Sequence, residues 1–216
     1  MPYYNIHTHR EDQDRNVVSV YNLSQDEILS GVEPVSPNIY YSVGIHPWDV
    51  NNSQVDIDLL KRYITQKNKR IVAIGEIGLD KLAEAPMVDQ LELFEKQVEL
   101  SIVLDLPVVI HCVRAWDELI KVYKKYNPLK PWIIHGFRGG REQAQQLIEL
   151  GFMLSFGKYY KKDAVEVAFP RSLFLETDDQ PLNIIDLYHD VSADLACKEA
   201  ALQKEINQNV SLMFIF

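Results

Sequence analysis

The strongest constraint on this fold is a series of short, continuously apolar segments separated by helix-like stretches. Val108-Val109-Ile110 and Ile71-Val72-Ala73-Ile74 offer no polar residue to turn towards water. A strand apolar on both faces belongs in a parallel sheet covered by helices. Such segments recur at Tyr3–His7, Val17–Asn22, Ile39–Gly44, Ile71–Glu76, Pro107–His111, Trp132–His135, Met153–Phe156 and Leu173–Glu176.

Between them the apolar period becomes helical. Leu91, Phe94, Val98 and Ile102 share a face, with Asp89 the expected cap. Leu119, Val122, Tyr123 and Tyr126 repeat the pattern before Pro128, and Ala144, Leu147 and Ile148 do so before Gly151. A last helix is expected from near Ser192, with the apolar tail Val210 to Phe216 as its docked end. Strands alternating with helices predict an α/β fold, a TIM-like (β/α) barrel. Its first units are cramped. Residues 9–16 leave no room for a normal helix and 24–30 allow only a short one, so irregularity is expected there. With no repeat, low-complexity tract or linker, residues 1–216 read as one domain.

The polar residues gather where these strands end. His7-Thr8-His9 closes the first, Glu76 the fourth, His111 the fifth and His135 the sixth, and Asp178 follows the eighth. Barrels build their sites on this carboxyl face. In an extended strand the two imidazoles of His-x-His point the same way. Imidazole with carboxylate suits zinc, manganese or iron, and carboxylate also suits magnesium. Taken singly, a strand-end His is ordinarily a hydrogen-bonded core or rim residue, and a closing Glu a rim ion pair. Six such groups at one barrel mouth favour divalent metal binding (Mg, Zn or Mn) and metal-dependent hydrolysis.

Lys and Arg number 22 against 31 Asp and Glu, a net charge of −9. That balance disfavours sequence-blind wrapping of duplex DNA. An anionic substrate then has to be held by metals and a few local cations. Cys112 and Cys197 lack metal-ligand spacing and suggest a reducing compartment. The first residues show no secretory signal, and no apolar stretch is long enough for a bilayer. The expectation is a cytoplasmic monomer with no membrane contact and no obligatory protein partner.

Read together, His7-Thr8-His9, Gly44-Ile45-His46-Pro47, Gly75 through Asp80, Ile110-His111, His135-Gly136-Phe137-Arg138-Gly139 and Glu176-Thr177-Asp178 resemble the TatD-related metal-dependent hydrolases, a branch of the amidohydrolase-like barrels. Gln90, Phe94, Gln97 and the segment from Leu106 to His111 extend the resemblance, as does Asn209 to Phe214. It implies a one- or two-metal site. His7, His9 and Asp178 would hold the first ion, Glu76 would lie between, and His111 and His135 would hold the second. Asp178 and Glu76 would be catalytic, Asp178 handling protons. It also implies deoxyribonuclease activity on DNA or another phosphoester.

Around that core the sequence departs from the family pattern. Val113 stands where an Arg is usual, with Arg114 one later, and Arg138 replaces a Ser. Trp48 takes a position often held by His, and Pro181 is displaced from Asp178. Arg114, Arg138 and His46 are the candidate substrate-binding residues. A solvated surface role for the two Arg and a loop hydrogen bond for His46 are the plainer readings. Trp48 and Tyr159 read first as rim packing and second as surfaces for stacked bases. Asp80 could position a ligand or cap the next segment. Two rival functions stand beside nuclease activity. One is an amidohydrolase-like esterase on a small molecule, disfavoured because Glu76 holds the strand-four position where many such sites carry a modified Lys. The other is a metal-binding barrel that has lost catalysis.

Overall fold

A computed structural model describes residues 1–11, 14–31, 36–66 and 70–216. Eight strands follow chain order: β1 (Tyr3–Thr8), β2 (Val17–Asn22), β3 (Ile39–Val43), β4 (Ile71–Asp80), β5 (Val108–Val113), β6 (Ile133–Ile134), β7 (Met153–Phe156) and β8 (Leu173–Leu175). Each pairs in parallel with the next, so spatial order equals sequence order. Around them lie α1 (Gln25–Ser30), α2 (Ile57–Gln66), α3 (Met87–Leu104), α4 (Trp116–Tyr126), α5 (Arg141–Glu149), α6 (Lys162–Ala168), α7 (Ile184–Asp194) and α8 (Glu199–Met213). This is the expected TIM-like barrel.

Its first unit is cut short as expected. No helix joins β1 to β2 among the described residues, and α1 is brief. Ser24 and Glu27 form a capping box that satisfies the orphan N–H groups of so short a helix.

The barrel is nearly closed by a narrow seam. Only one parallel bridge, Thr8 with Asp178, joins the two ends of the sheet among the described residues. The Asp178 N–H donates to the His7 carbonyl and the His9 N–H to the Asp178 carbonyl, both at 3.1 Å. Below them, buried side chains continue the ladder. Asn5 Nδ2 donates to Thr177 Oγ1 at 2.8 Å, and the Thr177 N–H donates to Asn5 Oδ1 at 3.0 Å.

Three boundaries differ from the sequence reading. The apolar run stops at Glu76, yet β4 continues to Asp80 with Ile77 and Leu79 fully buried. A register shift between Ile74 and Ile77 renews pairing with β5. Gly78 permits this, since a Cβ there would lie 1.9 Å from the His111 carbonyl oxygen. Second, α3 starts after Pro86, two residues ahead of the expected Asp89 cap. Asp89 instead sits in the first turn, where a carboxylate complements the helix dipole. Ile102 of its expected apolar face is 51% exposed, while Gln90 and Gln97 are buried. Gln97 brackets the Ile45 backbone and Gln90 the Asp80 backbone, so both amides pin the chain at the carboxyl face of the barrel. Third, Ser192 lies inside α7, and the chain turns at Leu195 before a separate α8. The tail does dock: Phe214 is buried and the Phe216 ring stacks on Tyr4.

Candidate metal centre

Glu76 is the hub of the barrel mouth. Its side chain is 7% exposed and meets five imidazoles. Oε1 lies 2.6 Å from His135 Nε2, 2.7 Å from His111 Nδ1 and 3.4 Å from His46 Nε2. Oε2 lies 3.4 Å from His7 Nε2 and 3.5 Å from His9 Nε2. Asp178 Oδ1 faces the same two His-x-His nitrogens at 3.6 Å. The seam explains that placement, because it fixes Asp178, in a left-handed conformation (φ 53°), directly against His7 and His9.

The structure therefore brings together every predicted metal-ligating residue: His7, His9, Glu76, His111, His135 and Asp178. Three overlapping sets place one donor atom per residue within 4.8 Å of one another: His7, His9 and Glu76; His7, His135 and Asp178; His46, Glu76 and His111. His46, read from sequence as a substrate contact or loop brace, thus sits among the donors. It also braces its loop, since its Nδ1 accepts the Trp48 N–H at 3.1 Å.

A second tier holds the imidazoles. Asp80 Oδ2 contacts His111 Nε2 at 3.1 Å and accepts the Trp48 indole N–H at 2.7 Å. Its Oδ1 accepts the Leu82 N–H, so Asp80 both steadies the His111 ring and caps the next segment. Glu176 is fully buried, and its Oε1 accepts the Gly136 N–H at 2.7 Å and meets His135 Nδ1 at 3.2 Å. Sequence reasoning quoted Glu176 only as part of a motif. Its place at the end of an apolar strand, two residues before Asp178, was the available signal.

Charge concentrates here. Burial and His135 oppose protonation of His7, yet Asp178 and Glu76 push its pKa up to about 9. Burial opposes the charge on Asp178, but His7 holds it down at about 2. Glu76 is buried too, and His135, His111 and His46 keep it well below the usual carboxylate range. His135 is raised well above the ordinary imidazole value despite its burial, because it lies between Glu76 and Glu176.

This donor set fits a divalent ion. It is nitrogen and oxygen without thiolate. Both ring nitrogens of the fully buried His7 lack a hydrogen-bond partner among the described residues, and so does Glu176 Oε2. Buried polar atoms are rarely left so unless something else satisfies them.

Cavities flank the centre on either side. One of about 350 Å³ runs along β5 and β6 and is lined by Arg114, Arg138, His111, His135 and Asp178 among others. The other, of about 450 Å³, lies by β2 and β3 and reaches His9, His46 and Glu76. Both candidate arginines therefore border the site. The Arg138 guanidinium stands 4.9 Å from the Tyr159 ring centroid, with Lys158 Nζ at 5.5 Å. Trp48 and Tyr159 both lie against rim residues, Trp48 edge-on to His46 and Tyr159 beneath Arg138, yet they stay 65% and 51% open to solvent.

The family model described as TatD related DNase matches residues 5–211. An uncharacterized metal-dependent hydrolase of Escherichia coli, YjjV, is 32% identical over 167 residues, covering 72% of this chain and 64% of that protein. The chain thus spans just under two thirds of the length of this relative. A protein of Pantoea ananatis named 3'-5' ssDNA/RNA exonuclease TatD is 32% identical over 112 residues, 51% of this chain and 43% of its own. The crystal structure of E. coli YjjV superposes with a TM-score of 0.84 at 22% identity, covering 98% of this chain and 97% of the other. That likeness extends the agreement of fold to the whole described barrel.

Proposed function

The chain belongs to the TatD-related DNase family of metal-dependent hydrolases, and from that membership we propose that it hydrolyses phosphodiester bonds of nucleic acid, with DNA as the substrate. One observation carries the reading: a single buried carboxylate, Glu76, within 3.5 Å of nitrogens from five imidazoles, with Asp178 alongside. Imidazoles packed so closely around carboxylates form a charged cluster that suits a divalent ion far better than it suits a core.

His7, His9 and Asp178 would hold one ion, His111 and His135 a second, and Glu76 would lie between them. His46 joins the second group on distance to Glu76. A divalent ion supplies Lewis-acid stabilisation of charge on the phosphoryl oxygens and lowers the pKa of water towards about 7. Asp178 orients the attacking water and accepts its proton. Its low pKa keeps it ionised at neutral pH, the form that can accept a hydrogen bond from the water and orient it. Arg114 and Arg138 bind the phosphate chain in the cavity they line, where a guanidinium fork matches phosphate oxygens. Glu176 and Asp80 keep His135 and His111 aimed at Glu76.

The test is nucleotide release from end-labelled single-stranded DNA by metal-reconstituted protein, beside Asp178→Asn. Metal-dependent release that the variant loses is the expected result. No release from either end, with turnover of a small carboxyl or phosphate ester instead, would transfer the function to an amidohydrolase-like esterase.

A further inference from the structure

The two cavities flanking the metal centre differ in chemistry. The one along β5 and β6 carries Arg114 and Arg138. The one by β2 and β3 has no Lys or Arg among the described residues of its lining, and away from the metal centre it is bordered by Asp26 and Asp49, with Asn22, Ser24 and Gln25 supplying amide and hydroxyl groups. A phosphate would be repelled from the outer part of that cavity, beyond the ion that His9, His46 and Glu76 would help hold. An uncharged group with hydrogen-bonding edges would not. Its volume, about 450 Å³, lies within the range of roughly 300–1,000 Å³ typical of small-molecule sites.

Trp48 stands at the edge of this cavity, and it is both exposed and rigid. Its indole N–H is anchored on Asp80 Oδ2 at 2.7 Å, its backbone N–H on His46 Nδ1, and Pro47 precedes it in a short 3-10 turn (Pro47–Asp49). The ring stands edge-on to His46, 5.2 Å between centroids and 90° between planes, and 65% of the residue remains open to solvent. An aromatic held so firmly but left uncovered is a ready surface for another flat ring, with little ordering cost on binding.

We propose that Trp48 and the cavity beside it form a nucleobase subsite, so that a substrate strand lies across the centre with a base on the Trp48 side and its phosphate chain on the Arg114 and Arg138 side. The inference rests on the phosphodiesterase reading above. It adds a direction to the substrate and a residue that selects for an unpaired, stackable base, because a base within a duplex has no face to offer.

The test uses the metal-loaded full chain as wild type, Trp48→Ala and Trp48→Phe. Stacking on an aromatic side chain predicts about a 10- to 100-fold loss of kcat/KM for Trp48→Ala on single-stranded DNA. Trp48→Phe keeps a ring but loses the bond to Asp80, and is expected within about threefold of wild type. On an oligonucleotide with abasic residues at both ends, wild type should fall to the Trp48→Ala level. Equal loss in both variants would mean that Trp48 acts through Asp80 on His111 and would overturn the proposal. So would a Trp48→Ala enzyme as active as wild type. A second readout needs no turnover: titration of adenosine monophosphate into Asp178→Asn protein, followed by tryptophan fluorescence. Of the three tryptophans, Trp132 is buried, Trp116 lines the arginine cavity and Trp48 is exposed, so only the part of a saturable quenching that disappears when Trp48→Phe is added belongs to the subsite, and that part supports it even if no nucleic acid is cleaved. Quenching by phenyl phosphate but not by the nucleotide would refute it.

Discussion

Replacing Glu176 probes how much of the metal centre depends on a residue that would touch no ion. Its Oε1 receives the Gly136 N–H at 2.7 Å and faces His135 Nδ1 at 3.2 Å, in a fully buried setting. Glu176→Gln keeps the volume and an acceptor oxygen but removes the charge. A hydrogen bond to a charged group contributes about 1.5–3 kcal/mol and a neutral one about 0.5–1.5, so roughly 1–1.5 kcal/mol is lost at His135. That corresponds to about a tenfold weaker hold on a metal, at the lower end of the roughly 10- to 100-fold typical of residues supporting a ligand. Glu176→Ala strands both donors without an acceptor, and its loss should approach about 100-fold. One effect works the other way. The same carboxylate helps hold a proton on His135, which an entering ion must displace. Calorimetric titration of metal-stripped protein with Mn²⁺ or Zn²⁺ is therefore best run at about pH 8.5, where that competition is weaker. Folding of each variant is checked by near-ultraviolet circular dichroism. A folded Glu176→Ala protein that binds metal within twofold of wild type would refute the argument.

Four further outcomes are expected. Asp178→Asn should lower turnover by about 10²–10⁴-fold, the range for loss of a positioned proton acceptor, measured with saturating metal. His7 is raised from 6.5 to about 9 in the metal-free protein. Its contribution to stability is thus fully present below pH 6.5 and lost as pH rises through about 9, which urea melts of the metal-free protein across that window would reveal. The same raised values mean that metal binding releases protons, so heats of binding should change with the ionisation enthalpy of the buffer; identical heats in all buffers would contradict this. Gly78→Ala, with φ of 149° and a Cβ 1.9 Å from the His111 carbonyl, should cost more than about 2 kcal/mol in thermal or urea unfolding and weaken metal binding through His111.

Much of this architecture was legible because apolar runs and helical periods are local signals. All eight strands lie where the runs place them, and the six candidate ligands picked out at strand ends share one barrel mouth. The misreadings arise where distant parts of the chain decide. Glu76 interrupts the hydrophobic pattern and so reads as the end of β4, yet neighbouring β5 pairs with it through Asp80. The expected face of α3 missed Gln90 and Gln97, since burial of an amide depends on backbone groups supplied by the ends of β3 and β4. His46 stands on a loop with no period, marked only by the Pro after it. Its distance to Glu76 is set by the barrel rather than by local sequence. The Asp80 bond to Trp48 spans 32 residues for the same reason.

The seam between β1 and β8 has a consequence for the order in which the molecule is built. Asp178 is held against His7 and His9 by the two backbone bonds that join the ends of the sheet and by the Asn5–Thr177 bonds below them. On the proposed ligand set, an emerging polypeptide would carry two donors of the Asp178 site from β1 onward but could not complete that site until β8 had been synthesised and had found β1. Loading would then report completion of the barrel. An ion at 100 times its dissociation constant would add about 2.7 kcal/mol to the closed form alone, acting as a clasp on the weakest join in the cylinder.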